Sequence, residues 1–153
     1  MVQLKKIDPK VVLLITSLIL TGAIMLMLGP ADKLDGRFYY SAAEAEAYLK
    51  GLTLVERGFY LYGESLDFWF MTNYSWLLFL GFRFFSAPTS SFKYLAFFPG
   101  VLDFIETISI MGFLIQGHTL INLSALSIIS CIKWNSVVLS FVFILFRLIR
   151  LKK

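Results

Sequence analysis

Cysteine and histidine each occur once in the 153-residue chain. The lone Cys131 excludes an intrachain disulfide framework and a cysteine metal site, and leaves the redox compartment undetermined. His118, with no second histidine or cysteine beside it, is a poor candidate for a metal ligand. Also missing are a nucleotide-binding glycine loop, a nucleophile elbow, an HExxH pair and a CxxC pair. No motif names a reaction, although a few scattered polar residues suffice for acid/base work inside a membrane. No metal or cofactor is expected. Internal repeats, low-complexity tracts and linkers are absent too, so residues 1–153 read as a single membrane domain.

What the chain does have is apolar length. Hydrophobic residues make up 58% of it and the mean hydropathy is +0.77, whereas soluble domains hold roughly 45 to 50% even with glycine counted. In a bilayer every backbone polar group must be satisfied internally, which leaves helices or a closed barrel. Barrel strands alternate in polarity over about 10 residues; the apolar runs here extend over about 18 to 27, so helices are expected. The net charge of +4 does not indicate nucleic acid, because the basic residues sit at the ends of apolar runs and form no basic domain of their own.

The expected fold is an all-α membrane protein. Four transmembrane helices, at about 11–28, 66–85, 94–116 and 120–146, form an antiparallel bundle, with an outer loop at 30–65. A cleaved signal peptide would have a shorter apolar region than Val11–Leu28 and a better cleavage site than Gly29-Pro30-Ala31. Ser41 and Glu44 have the spacing of a capping box, which predicts a short extracytoplasmic helix from about Ala42 to Lys50 with Gly51 just past its end. Beyond it, an aromatic strand or loop is expected, with Tyr60, Tyr62 and Trp69 spaced for an interfacial belt. Lys5, Lys6, Lys10, Arg83, Lys93, Arg147, Arg150, Lys152 and Lys153 flank the other side of the membrane. The positive-inside rule therefore places both termini in the cytoplasm of a multi-pass inner-membrane (plasma-membrane) protein.

The third segment carries Pro99, Asp103 and Glu106 at i, i+4 and i+7, on one helical face that must avoid lipid. At a rise of about 1.5 Å per residue from the cytoplasmic ends, Asp103 lies about 14 Å deep and Glu106 about 18 Å; Lys133 comes to about 20 Å and Asn73 to about 15 Å. A charge at bilayer centre costs about 3 kcal/mol even on lenient scales, so pairing of Lys133 with Glu106 or Asp103 is expected. Asn73, with Tyr74 or Asn135, would supply hydrogen bonds, while Ser127, Ser130 and Lys133 share an inward face. Two acids facing one base leave an unbalanced charge, met by a retained proton or by a bound cationic group. Pro99 and Gly100 suggest either a kink or close helix packing.

The order of these features resembles a group of small four-helix bacterial membrane proteins of unknown function. A tyrosine-rich outer segment is followed by Asp67, Asn73-Tyr74, Pro99, Asp103-Phe104-Ile105-Glu106-Thr107 and Lys133-Trp134. The family's third helix reads Pro, then Asp-x-x-Glu-Asn, and Thr107 stands where the Asn would be. The resemblance covers most of 38–146 and implies the architecture but no activity. Two functional readings stay open. In one, Asp103, Glu106, Lys133, Asn73 and Tyr74 bind a lipid or amphiphile head group or handle a proton. In the other, the cluster is a helix-packing knot in an accessory or interaction protein, with a membrane-protein partner or a second copy.

Overall fold

A computed structural model describes residues 9–28, 33–34, 36–85 and 91–150, and among these the chain is helical with no strand. Five α-helices follow in order: α1 Pro9–Leu28, α2 Ala42–Gly51, α3 Leu54–Phe85, α4 Phe98–Gln116 and α5 Leu123–Arg150; a 3-10 segment, Ser91–Phe97, leads into α4. Among the described residues three stretches are long and apolar enough to cross a membrane: Pro9–Met27, Ser91–Gln116 and Leu123–Arg147. Helix α3 is long enough, about 48 Å at the usual rise, but Asp67, Thr72, Asn73, Ser75 and Arg83 dilute its apolar character. The Gly29-Pro30 stop, the 86–90 turn, and Lys5, Lys6, Lys152 and Lys153 lie outside the described residues.

Several boundaries differ from expectation for identifiable reasons. The segment expected as strand or loop is the first third of α3. Thr53 and Glu56 form a capping box there: Glu56 N–H donates to Thr53 Oγ1 at 3.3 Å and Thr53 N–H donates to Glu56 Oε2 at 2.8 Å. That arrangement satisfies helix-start donors and fixes the helix twelve residues earlier than the expected position 66. Tyr60 is consequently no belt residue; it is fully buried, whereas Tyr62 and Trp69 are exposed.

Pro99 sits at the start of α4, where its missing N–H has no intrahelical partner to lose, so it opens the helix without kinking it. Helix α5 starts at Leu123 rather than 120 because the Asn122 side chain accepts from Ser124 N–H at 2.8 Å. Helix α2 keeps its capping box, with Ser41 N–H donating to Glu44 Oε2 at 2.7 Å. Gly51 is its last residue and Leu52 the C-cap, which is extended, so no left-handed glycine is required. Gly117, at φ 78°, does close α4 in left-handed geometry, its N–H donating to Phe113 O at 2.8 Å.

Helix α1 packs on α3, with Gly22 against the Phe70 ring and the Ser17 hydroxyl accepting from Trp69 Nε1 at 2.9 Å. Helices α3 and α4 approach closely at Gly100, where an added methyl would overlap the Ser75 hydroxyl. Two apolar clusters result. One joins Leu34, Tyr40, Ala45, Leu49 and Tyr60 to Ile110, Phe113, Leu114 and Leu126; the other holds Met71, Tyr74, Leu78, Phe82 and Ala96. Along the chain, Asp103 and Glu106 lie between Ala96 of the second cluster and Ile110 of the first.

Candidate functional site

The site forms where the helical register of three helices points polar residues at one another. On α3 the buried residues Tyr60, Glu64, Asp67, Met71, Tyr74 and Leu78 recur at spacings of four and three, one continuous face of a helix. On α4, Asp103 and Glu106 fall between the buried Gly100 and Ile110, and on α5 Ser127, Ser130 and Lys133 form the matching face.

Lys133 stands at the centre. Its Nζ lies 2.8 Å from Asp103 Oδ1 and 2.7 Å from Glu106 Oε2. Tyr74 of α3 donates its phenolic proton to Asp103 Oδ2 at 2.9 Å, and Tyr40 donates to Glu106 Oε1, also at 2.9 Å. All four carboxylate oxygens therefore have a cationic or phenolic partner. Lys133 is 4% exposed, Asp103 5% and Glu106 0%, so the ionic bonds are made away from solvent. Charge-assisted hydrogen bonds in such surroundings are short and directional, which fixes the register of the helices that carry them.

Tyr40 reaches the cluster from the strap, the irregular stretch of Leu34 and Arg37 to Ser41 that precedes α2 and is bonded to α3, α4 and α5. Its position is set by backbone bonds. Ser127 donates its hydroxyl to Tyr40 O, Ser130 donates to Arg37 O at 3.1 Å, and Leu34 N–H donates to Tyr60 OH at 3.1 Å. One turn further along the α4 face, Thr107 donates to Asp67 Oδ2 at 2.8 Å. The hydroxyl of Thr107 thus serves a carboxylate on α3.

Of the residues singled out from sequence, Asp103, Glu106, Lys133 and Tyr74 are brought together, and Ser127 and Ser130 join them through the strap. Asn73 is a correction: its amide donates to Ser17 Oγ and Trp69 O, both at 3.0 Å, so it fastens α1 to α3. Lys133 pairs with two carboxylates, while the Asn73 amide is engaged between α1 and α3. Asn135 likewise turns away, donating to Cys131 O at 2.8 Å. Sequence reasoning missed Tyr40, for which no local signal exists, and the loop expected at 30–65 takes in Glu64, which is fully buried. The four-and-three spacing from Tyr60 through Glu64 and Asp67 to Tyr74 was the signal for the latter.

Outside the spanning segments, the Glu44 carboxyl is held below the ordinary carboxylate range, chiefly by the Ser41 N–H and then by the Ser41 hydroxyl. Among the described residues no three His, Cys, Asp or Glu side chains converge on a point that would hold a metal ion. Neither of two surface grooves touches the charged cluster. One, of about 270 Å³, is lined by Met71, Thr72, Ser75, Trp76, Phe97, Gly100, Val101 and Phe104; the other by Leu54, Val55, Gly58, Phe59 and Tyr62. No family model matches the chain, and neither curated proteins nor solved structures give a match.

Proposed function

We propose that the chain is a non-enzymatic membrane protein, an accessory or interaction subunit, in which Asp103, Glu106 and Lys133 form an ionic lock. The lock binds α4 to α5 and, through Tyr74 and Tyr40, adds α3 and the strap. The observation that carries this reading is saturation of the cluster: three of the four carboxylate oxygens accept hydrogen bonds, and the fourth, Glu106 Oε2, is ion-paired to Lys133 at 2.7 Å. A head-group site needs at least one of those oxygens turned toward an entering group. A buried polar knot needs each of them engaged, because an unpaired buried charge is the costly outcome.

The architecture that goes with this reading is an antiparallel bundle of four crossings in the inner membrane, α3 being the second. Support comes from the pairing of α3 with α4, in which Asp67 meets Thr107 and Tyr74 meets Asp103. It also comes from the bulky apolar side chains that α1 and α5 leave uncovered, such as Leu13, Leu26 and Leu139. The distribution of Lys and Arg favours cytoplasmic termini and an outward strap and α2. The resemblance to small four-helix bacterial membrane proteins fits the same arrangement.

Native mass spectrometry of the protein in mild detergent tests the functional part. The expected result is a retained second polypeptide, copy or partner, with no lipid or small-molecule adduct that depends on the acids. An adduct present on the unaltered protein and lost in both Asp103→Asn and Glu106→Gln would overturn the lock in favour of a head-group site.

A further inference from the structure

Helix α5 uses one face for the lock and leaves the opposite one bare. Lys133 and Asn135 are two positions apart, so they leave the helix on nearly opposite sides. Around the exposed Asn135, the exposed residues Ile128, Ile132, Leu139, Val142 and Phe146 complete a row with spacings of four and three. That spacing makes a heptad seam, and the polar residue within it is Asn135. Asn135 also stands twelve positions from each end of the stretch Leu123–Arg147, which is long and apolar enough to cross a membrane. At the usual rise it lies about 18 Å from either end, a depth at which lipid offers neither water nor ester groups.

The Asn135 amide is half used. Its nitrogen donates to Cys131 O at 2.8 Å and has only the weak acceptor Cys131 Sγ, at 3.5 Å, for its other hydrogen. Among the described residues nothing donates to its carbonyl oxygen. Hydroxyls on these helices avoid that outcome by turning their proton back on the helix, as Thr72 does to Phe68 O and Ser136 to Ile132 O, both at 2.7 Å. An acceptor oxygen has no such refuge, because the backbone N–H groups around it are already bonded within the helix. An acyl chain cannot supply the missing donor; a second polar group at the same depth can. A primary amide is both donor and acceptor, and every copy of the chain inserts in the same orientation, which brings Asn135 of two copies to one level on parallel α5 helices. We infer that α5 is the interface of a homodimer with its two-fold axis along the membrane normal, in which each Asn135 donates to the carbonyl oxygen of the partner's Asn135. A two-fold contact of this kind is self-complementary and closed, and a single amide in an apolar seam fixes register and copy number. Resting on the reading of the chain as an interaction protein of the membrane, this pairing makes its partner a second copy.

Disulfide trapping of the full chain in lipid vesicles tests the pairing, in a Cys131→Ala background that removes the native thiol. Val142→Cys puts a thiol on the seam, one heptad from Asn135; Phe141→Cys puts one at nearly the same depth, similarly exposed, but off the seam. The expected result of mild oxidation is a disulfide-linked dimer from Val142→Cys and little from Phe141→Cys. Cross-linking that is equal at the two positions, or absent at Val142, would overturn the inference. Asn135→Leu, which leaves the lock untouched, should raise the dimer dissociation constant in detergent about 5- to 30-fold, the worth of interhelical hydrogen bonds; an unchanged constant would overturn the role of the amide. The two readings fail separately. A retained polypeptide of a different mass, with Val142→Cys unlinked, would refute the second copy and keep the interaction reading. An acid-dependent adduct would refute that reading and leave the cross-link at Val142 unchanged.

Discussion

The phenol of Tyr40 donates to Glu106 Oε1 at 2.9 Å, across 66 positions of sequence. Through that bond a strap residue completes a carboxylate whose other oxygen is held by Lys133 on α5. A hydrogen bond to a charged partner contributes about 1.5 to 3 kcal/mol, so Tyr40→Phe is expected to lower stability by about that amount. The loss should be local. Trypsin ought to cut at Arg37, Lys50 or Arg57 faster in Tyr40→Phe than in Tyr74→Phe, which weakens the same cluster from α3. Equal cleavage of both variants would show that Tyr40 does not fasten the strap.

Lys133 answers two carboxylates at once. Its replacement by Met leaves both without their cation, and removing one partner of a buried pair costs about 3 to 5 kcal/mol. The triple variant Asp103→Asn, Glu106→Gln, Lys133→Met carries no buried charge in the lock and should regain most of that loss. Thermal unfolding in detergent measures both; a triple variant less stable than Lys133→Met alone would mean that the ionic character itself is required.

Close approach of α3 and α4 depends on Gly100. A methyl there overlaps the Ser75 hydroxyl, but stands 3.4 Å from Ser75 Cβ, an ordinary contact. Gly100→Ala should therefore cost about 1 to 3 kcal/mol, the usual range for overpacking, and Ser75→Ala should restore most of it in the double variant. Additive losses would place the tight contact elsewhere.

Glu44 gives a pH dependence in α2, outside the candidate membrane spans. Its carboxyl is held below the ordinary value of 4.5 by Ser41. A depressed folded value means that the capping contribution is present above 4.5 and is lost as pH falls through the lower folded value. Hydrogen exchange of the α2 amides, corrected for intrinsic rate, should speed up in that acid window in the unaltered protein. In Ser41→Ala, protection should be lower at neutral pH and change less on acidification. An unchanged profile in the variant would contradict the capping role.

The helical class and the meeting of Asp103 and Glu106 with Lys133 were legible because helical periodicity and the expense of buried charge act on sequence alone. Capping chemistry located α2 through Ser41 and Glu44; the same rule applied to Thr53 and Glu56 accounts for the early start of α3. Pro99 was ambiguous, since a proline inside an apolar run and a proline at a helix start differ only in what precedes them, here a 3-10 segment. Tyr40 could not be read at all. Its partner lies on another helix, and no periodicity connects an irregular strap to α4. Asn73 was misplaced for a related reason: depth gives the level of a residue but not the side of the helix on which its partner stands.

A double-mutant cycle between Tyr40→Phe and Glu106→Gln, followed by unfolding in detergent, addresses the lock most directly. If the strap and the bundle are joined through this bond, the two substitutions are non-additive, with a coupling of about 1 kcal/mol or more, near the upper part of the range for hydrogen bonds between membrane helices. Additivity within about 0.5 kcal/mol, the behaviour of residues that do not touch, would contradict the lock as the element that holds the strap to the membrane helices.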